Sequence, residues 1–270
     1  MHLTYASRSD VGMIRSGNED SVFAAATPYR GVFMVADGMG GHAAGEIASD
    51  MAVKIVTREL TGVRDIGSPT GEDALKEALR HANRAIFERT LAEVDKQGMG
   101  TTASVLMLSG TRYMIGQVGD SRVYRVRNGQ LQQLTKDHSY VQEQVDAGYI
   151  TPEQARYHPY SNVITRCVGA SRDVDPDTFS GDVMAGDLFL VASDGLTGMV
   201  DDARLQQLLG SKASPGRLVD ALINEANGRG GLDNITAVVV QVLSTDDPRL
   251  DAPTGESAAV DHPSASSGRH

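Results

Sequence analysis

The residues with the clearest chemical promise are acids placed where apolar runs end. Val32-Phe33-Met34-Val35-Ala36 runs directly into Asp37-Gly38-Met39-Gly40-Gly41-His42. Leu188 to Ser193 runs into Asp194-Gly195, and Met114 to Val118 into Gly119-Asp120-Ser121. Asp233-Asn234 stands immediately before the run Ile235 to Val240. Apolar runs without alternation read as strands buried on both faces. Each acid therefore sits at a strand terminus, and the glycines beside it allow a sharp turn and close approach of a ligand to the main chain. One such junction is a turn closed by an aspartate. Four of them read as a converging set of hard oxygen ligands. Carboxylates packed together without a cation repel one another, and some must stay protonated. Mg²⁺ or Mn²⁺, which prefer carboxylate, carbonyl and water oxygens, remove that conflict.

The elements that must position these acids follow from hydrophobic period. Residues 43–60 carry Ile47, Met51 and Ile55 at helical spacing, with Ala48, Ala52 and Val56 beside them. After the break Gly67-Ser68-Pro69 a second helix is predicted by the line Leu75, Leu79, Ala82, Ile86. Two successive amphipathic helices should lie side by side on one face of a sheet. Strands are predicted over 2–10, 21–25 and 31–36, the last two joined by Thr27-Pro28-Tyr29-Arg30, and again over 101–108, 112–118 and 121–126. Asn128-Gly129 signals a two-residue hairpin before 130–134, which makes the sheet antiparallel and not doubly wound. Residues 136–161 are polar, with short helical pieces at 140–147 and 151–156, and read as a mobile flap. His138 and His158 within it read as exposed loop histidines. Strands are expected to resume at 162–167 and 187–192, helices at 201–209 and 215–226, and a closing strand at 235–243. Residues 244–270, rich in Asp, Pro, Ser, Ala and Gly without apolar period, read as a disordered tail.

The chain has 270 residues, 40% of them hydrophobic, enough for one large domain over 1–243 with a full core. A net charge of −10 argues against nucleic-acid binding, which calls for a basic face, and suits an acidic metal site. Cys167 is the single cysteine, so no internal disulfide can form; it reads as a small buried residue in a reducing, cytoplasmic setting. The start Met1-His2-Leu3-Thr4-Tyr5 lacks the basic and apolar regions of a signal peptide, and no run is long and apolar enough to span a bilayer.

In order, Arg15-Ser16-Gly17-Asn18-Glu19-Asp20, Asp37-Gly38-Met39-Gly40-Gly41-His42, Gly100-Thr101-Thr102, Gly119-Asp120-Ser121-Arg122, Ser193-Asp194-Gly195 and Gly231 to Thr236 resemble the motifs of the PPM (PP2C-like) metal-dependent serine/threonine phosphatases, in their bacterial branch. Any one motif is weak; six in the correct order, within a match over about residues 3–243, are specific. The resemblance implies an α+β fold, a four-layer α-β-β-α sandwich with two central antiparallel sheets flanked by helix pairs. It implies that Asp37 bridges two metals, that the Gly38 carbonyl ligates one, and that Asp194 and Asp233 complete the second metal's shell. Glu19 and Asp20 would hold metal-bound waters, and Asn234 would orient the loop carrying Asp233. Asp120 with Asp194 would hold a third, weaker metal, and Arg15 would bind the substrate phosphate. The implied cofactors are Mn²⁺ or Mg²⁺. The implied partners are phosphorylated proteins, a Ser/Thr kinase and its substrates among them, met by a monomer.

The chemistry suits these residue types independently. Two metals about 3.5–4 Å apart lower the pKa of a bridging water and clamp an in-line displacement at phosphorus. An arginine fork matches phosphate oxygens. Many eukaryotic relatives carry a histidine two places after the bridging aspartate, able to protonate the leaving alkoxide. Met39 stands there and cannot, which leaves a water, favoured here, or His42, whose other reading is a packing residue at the helix start. Two alternatives remain: a phosphatase for small phosphate esters, and a catalytically weak regulatory module, against which the intact Asp37, Asp194 and Asp233 argue. A haloacid-dehalogenase-type mechanism needs Asp-x-Asp after a strand, which Asp37-Gly38-Met39 does not supply.

Overall fold

The computed structural model describes residues 1–40, 44–63 and 65–245. The chain begins with β1 (His2–Asp10), β2 (Ser21–Thr27), β3 (Arg30–Ala36) and the short β4 (Gly38–Met39). Helices α1 (Ala44–Leu60) and α2 (Pro69–Ala92) follow, then β5 (Gly100–Thr101), β6 (Ala103–Ser109), β7 (Arg112–Val118), β8 (Arg122–Arg127) and β9 (Gln130–Gln133). The flap carries α3 (Tyr140–Asp146) and α4 (Pro152–Arg156). The last third holds β10 (Asp177–Asp182), β11 (Leu188–Ala192), α5 (Asp194–Thr197), α6 (Asp202–Leu209), α7 (Pro215–Gly228) and β12 (Ile235–Ser244).

Two five-stranded sheets form, ordered β1-β12-β11-β8-β9 and β10-β7-β6-β3-β2, with every pairing antiparallel. Period-2 alternation sorts their side chains into layers. Phe33 and Val35 meet Val191, Phe189 and Val238 between the sheets, while Met34 and Ala36 turn outward onto α1 and α2. On the far side Leu190, Ala192 and Val239 pack against Leu205 of α6 and Leu218, Leu222 and Ile223 of α7. This is the four-layer helix-sheet-sheet-helix sandwich. In α2 the line Leu75, Leu79, Ala82, Ile86 is fully buried, and the helix starts on Pro69 with Ser68 accepting from the Gly71 amide. The β8–β9 hairpin turns at Asn128 (φ 52°) and Gly129 (φ 76°), the left-handed pair that fits strand twist.

Four expectations need correction. Residues 162–167 form no strand; Ile164 makes only an isolated bridge to Ser139. The missing edge is supplied by β10, Asp-Thr-Phe-Ser-Gly-Asp, paired to β7. Its polar sequence lacks an apolar period because it closes the sheet at an edge. His138 is buried, 7% exposed, and not a surface loop residue. Cys167 is half-buried. Ser244, where the tail was expected to begin, still pairs with His2 in β1. His42 and the tail from 246 onward lie outside the described residues. Among the described residues no helix is long and apolar enough to cross a membrane.

Candidate active site

The strand ends gather at one edge of the two sheets. Asp37 leaves β3, Asp120 stands between β7 and β8, Asp194 opens α5 after β11, and Asp233 precedes β12. The backbone of Asp37 is fixed by the Thr101-Thr102 pair. Its amide donates to Thr102 Oγ1 at 2.9 Å, and its carbonyl accepts from the Thr102 amide and Thr101 Oγ1, each at 2.9 Å. Its carboxylate is thereby held near Asp194, Asp20 and Asp120. Gly38 is buried and paired with Thr101. A Cβ there would collide with the carbonyl oxygens of Gly45 and Glu19, so only glycine lets α1 close onto this turn.

Asp20 joins the sheets. It stands just before β2, yet its Oδ2 accepts from Ser193 Oγ, just after β11, at 2.9 Å and from Thr236 Oγ1 in β12 at 2.6 Å. Arg15 is already paired: its guanidinium donates to Asp233 Oδ2 at 2.7 Å, and Asp233 Oδ1 accepts the Asn234 amide at 2.8 Å. The pair is half-exposed, a setting in which an ion pair contributes little and exchanges readily. The Glu19 carboxylate lies against Gly45 in the first turn of α1, and its carbonyl accepts from the Gly38 amide at 3.2 Å. Asn234 has a larger part than orienting Asp233. Its Oδ1 takes the Glu19 amide at 2.8 Å, and its Nδ2 donates to the carbonyls of Val11 (3.0 Å) and Gly17 (2.9 Å), so it pins the whole Arg15 loop.

The electrostatics record crowding. Burial, reinforced by Asp20 and Asp194, raises the Asp37 carboxyl well above its ordinary range. Burial and then Asp194 do the same to Asp120, and burial with Asp233 raises Asp194. Asp20 is pushed up to about 7 by burial, against the opposing pull of its two hydroxyl donors. Among the described residues no three Asp, Glu, His or Cys side chains stand in a closed metal shell. The donors nevertheless suit a hard cation. Of five buried side-chain polar atoms without a hydrogen-bond partner among the described residues, three are Oδ1 of Asp20, Asp120 and Asp194.

Three hydroxyl residues of the motifs belong to this network. Thr102, Ser193 and Thr236 are the hydroxyls that hold Asp37 and Asp20. The signal for them was a hydroxyl directly beside each acid or its strand. His138, which holds Gly119, gave no such signal.

Residues 14–224 match the protein phosphatase 2C family. The chain is 38% identical over 246 residues to the serine/threonine phosphatase stp of Listeria innocua, covering 89% of this chain and 96% of that one. It is 39% identical over 246 residues to the serine/threonine protein phosphatase PstP of Mycobacterium tuberculosis, covering 90% of this chain but 46% of PstP, so it spans about half that relative's length. The structure of the PstP catalytic domain in complex with two manganese ions superposes with a TM-score of 0.80 at 38% identity, covering 90% of this chain and 99% of that one.

Proposed function

The chain belongs to the protein phosphatase 2C family of metal-dependent serine/threonine phosphatases, and from that premise we propose that it hydrolyses phosphoserine and phosphothreonine in proteins. The observation that carries this reading is the set of buried, unpartnered carboxylate oxygens of Asp20, Asp120 and Asp194 beside Asp37. Asp37, the Gly38 carbonyl, Asp194 and Asp233 would hold two Mn²⁺ or Mg²⁺ ions, with Glu19 and Asp20 binding their waters. Asp120 and Asp194 would hold a third more weakly. Such ions, when bound, supply Lewis-acid charge that acidifies water and offsets charge on phosphoryl oxygens.

The chain's own groups do the rest. Arg15 exchanges Asp233 for the substrate phosphate, a charge-assisted fork that orients the phosphorus. The Thr101-Thr102 pair and Asn234 keep the Asp37 strand end and the Arg15 loop in register. Met39 carries no transferable proton. The His138 imidazole is unsuited as well, since Nδ1 accepts from Gly119 and Nε2 pairs with Asp177. Leaving-group protonation is assigned to water ahead of His42, which lies outside the described residues. We further propose a single domain over 1–243 with the 136–161 flap, acting as a cytoplasmic monomer that opposes a Ser/Thr kinase.

The test is metal-free protein offered a phosphothreonine peptide and an aryl phosphate, with Mn²⁺ titrated in. Phosphate release from the peptide only with Mn²⁺ is expected. Hydrolysis of the aryl phosphate alone would favour a small-ester enzyme, and peptide binding without turnover a regulatory module.

A further inference from the structure

Asp120 is bracketed by two consecutive residues of the flap root. Asp137 takes Arg122, two places after Asp120, through bonds of 2.7 and 3.0 Å. His138 takes Gly119, one place before it: the Gly119 amide donates to His138 Nδ1 at 3.1 Å, and the His138 amide donates back to the Gly119 carbonyl at 2.9 Å. Gly119 turns at φ 102°, and a Cβ there would press on the Thr102 side chain. The direction of the Asp120 carboxylate, 6% exposed with Oδ1 unpartnered, thus depends on how this one peptide unit is held.

The bonds also fix the tautomer. Because Nδ1 accepts an amide N–H, the ring proton is assigned to Nε2, where it donates to Asp177 Oδ2 at 3.1 Å; Arg166 Nη1 also stands 3.0 Å from Nε2 and donates to Asp177 Oδ1 at 2.8 Å. Arg166 also binds the Asp175 carbonyl at 2.8 Å. Burying an imidazole to 7% exposure costs desolvation unless both nitrogens are used. Here one is used on the Asp120 turn and the other on the segment leaving the flap.

We propose that His138 is a positioning residue: its Nδ1 acceptor aims the Asp120 carboxylate and so sets the affinity of the weak cation site at Asp120. This rests on the reading of Asp120 as a cation ligand. Asparagine at 138 can place Oδ1 where Nδ1 stood and keep the Gly119 bond. Glutamine can reach Asp177 with its amide nitrogen but leaves no acceptor at the Nδ1 position.

The experiment counts bound Mn²⁺ in the full chain by the electron paramagnetic resonance signal of the free ion, alongside melting curves. His138→Asn should bind as wild type. His138→Gln should keep the tight ions and bind the weak one roughly tenfold less well, the worth of one hydrogen bond. Asp120→Ala should lose the weak ion. Should the glutamine variant not fold, His138→Ala, which keeps the backbone bond to Gly119, is expected to show the same loss. Wild-type weak binding in His138→Gln or His138→Ala, beside a loss in Asp120→Ala, overturns the role of His138 alone. Equal losses in the asparagine and glutamine variants overturn the acceptor argument. No loss in Asp120→Ala overturns the reading of Asp120 itself, and this inference with it.

Discussion

Removing the cations should make the stability of this fold fall as pH rises. Asp20 is 9% exposed, and only its Oδ2 has donors, so burial raises its pKa from 3.8 to about 7. A raised folded-state pKa means that the folded protein holds a proton the unfolded chain has already released. The stabilisation is therefore complete below the unfolded value and is lost as pH climbs through the folded one. Between pH 5 and 7 the span is about two units, or about 3 kcal/mol at 1.36 kcal/mol per unit. At about 2–4 °C per kcal/mol for a domain of this size, Tm should drop by about 6–12 °C. Asp37, Asp120 and Asp194 are shifted in the same direction and steepen the fall. His138 opposes it: burial lowers its pKa, so its contribution grows with pH up to roughly 6.5 and then stops. Ion-paired acids with lowered pKa, such as Asp10 and Glu225, are held below their ordinary carboxylate values and do not enter this window. The assay is thermal unfolding of metal-free protein by circular dichroism at intervals from pH 5 to 8, repeated with Mn²⁺. Ions that bind the ionised carboxylates should raise Tm most at high pH and flatten the slope. A metal-free Tm that is constant or rises over this range, or one indifferent to Mn²⁺, would refute the reasoning.

Asp37→Asn should abolish Mn²⁺-dependent phosphopeptide hydrolysis and, by removing one crowded buried carboxylate, leave the metal-free Tm unchanged or higher; retained turnover would show that Asp37 is not a ligand. Arg15→Ala should lower kcat/KM by one to two decades, corresponding to about 1.5–3 kcal/mol for a charge-assisted contact, with little change in Tm because the pair with Asp233 is half-exposed. Gly38→Ala should destabilise by about 1–3 kcal/mol, since the added methyl meets the Gly45 and Glu19 carbonyls, and a denaturant midpoint identical to wild type would contradict the packing at this turn.

What the sequence determined by itself was whatever depends on a segment's own face. The unbroken run Val32 to Ala36 had to be an inner strand, Leu75 to Ile86 had to be a buried helix line, and Asn128-Gly129 had to turn a hairpin. Acids at the ends of such strands could be picked out because burial on both faces and a terminal charge are local patterns. Tertiary structure decided everything that requires two distant segments to meet. Asp177–Asp182 becomes a strand because β7 has a free edge, not because its polar residues favour one. Val163 and Ile164, apolar in sequence, stay off the sheets because β10 takes that edge instead. His138 is polar in a polar stretch, and only the arrival of Gly119 on one nitrogen and Asp177 on the other makes its burial affordable. Arg15 meets Asp233 across more than two hundred residues of chain, 218 in separation, through a loop whose position is set by Asn234. Period and propensity describe how one element hides its apolar side. Which polar groups become partners is fixed only when those hidden sides have packed.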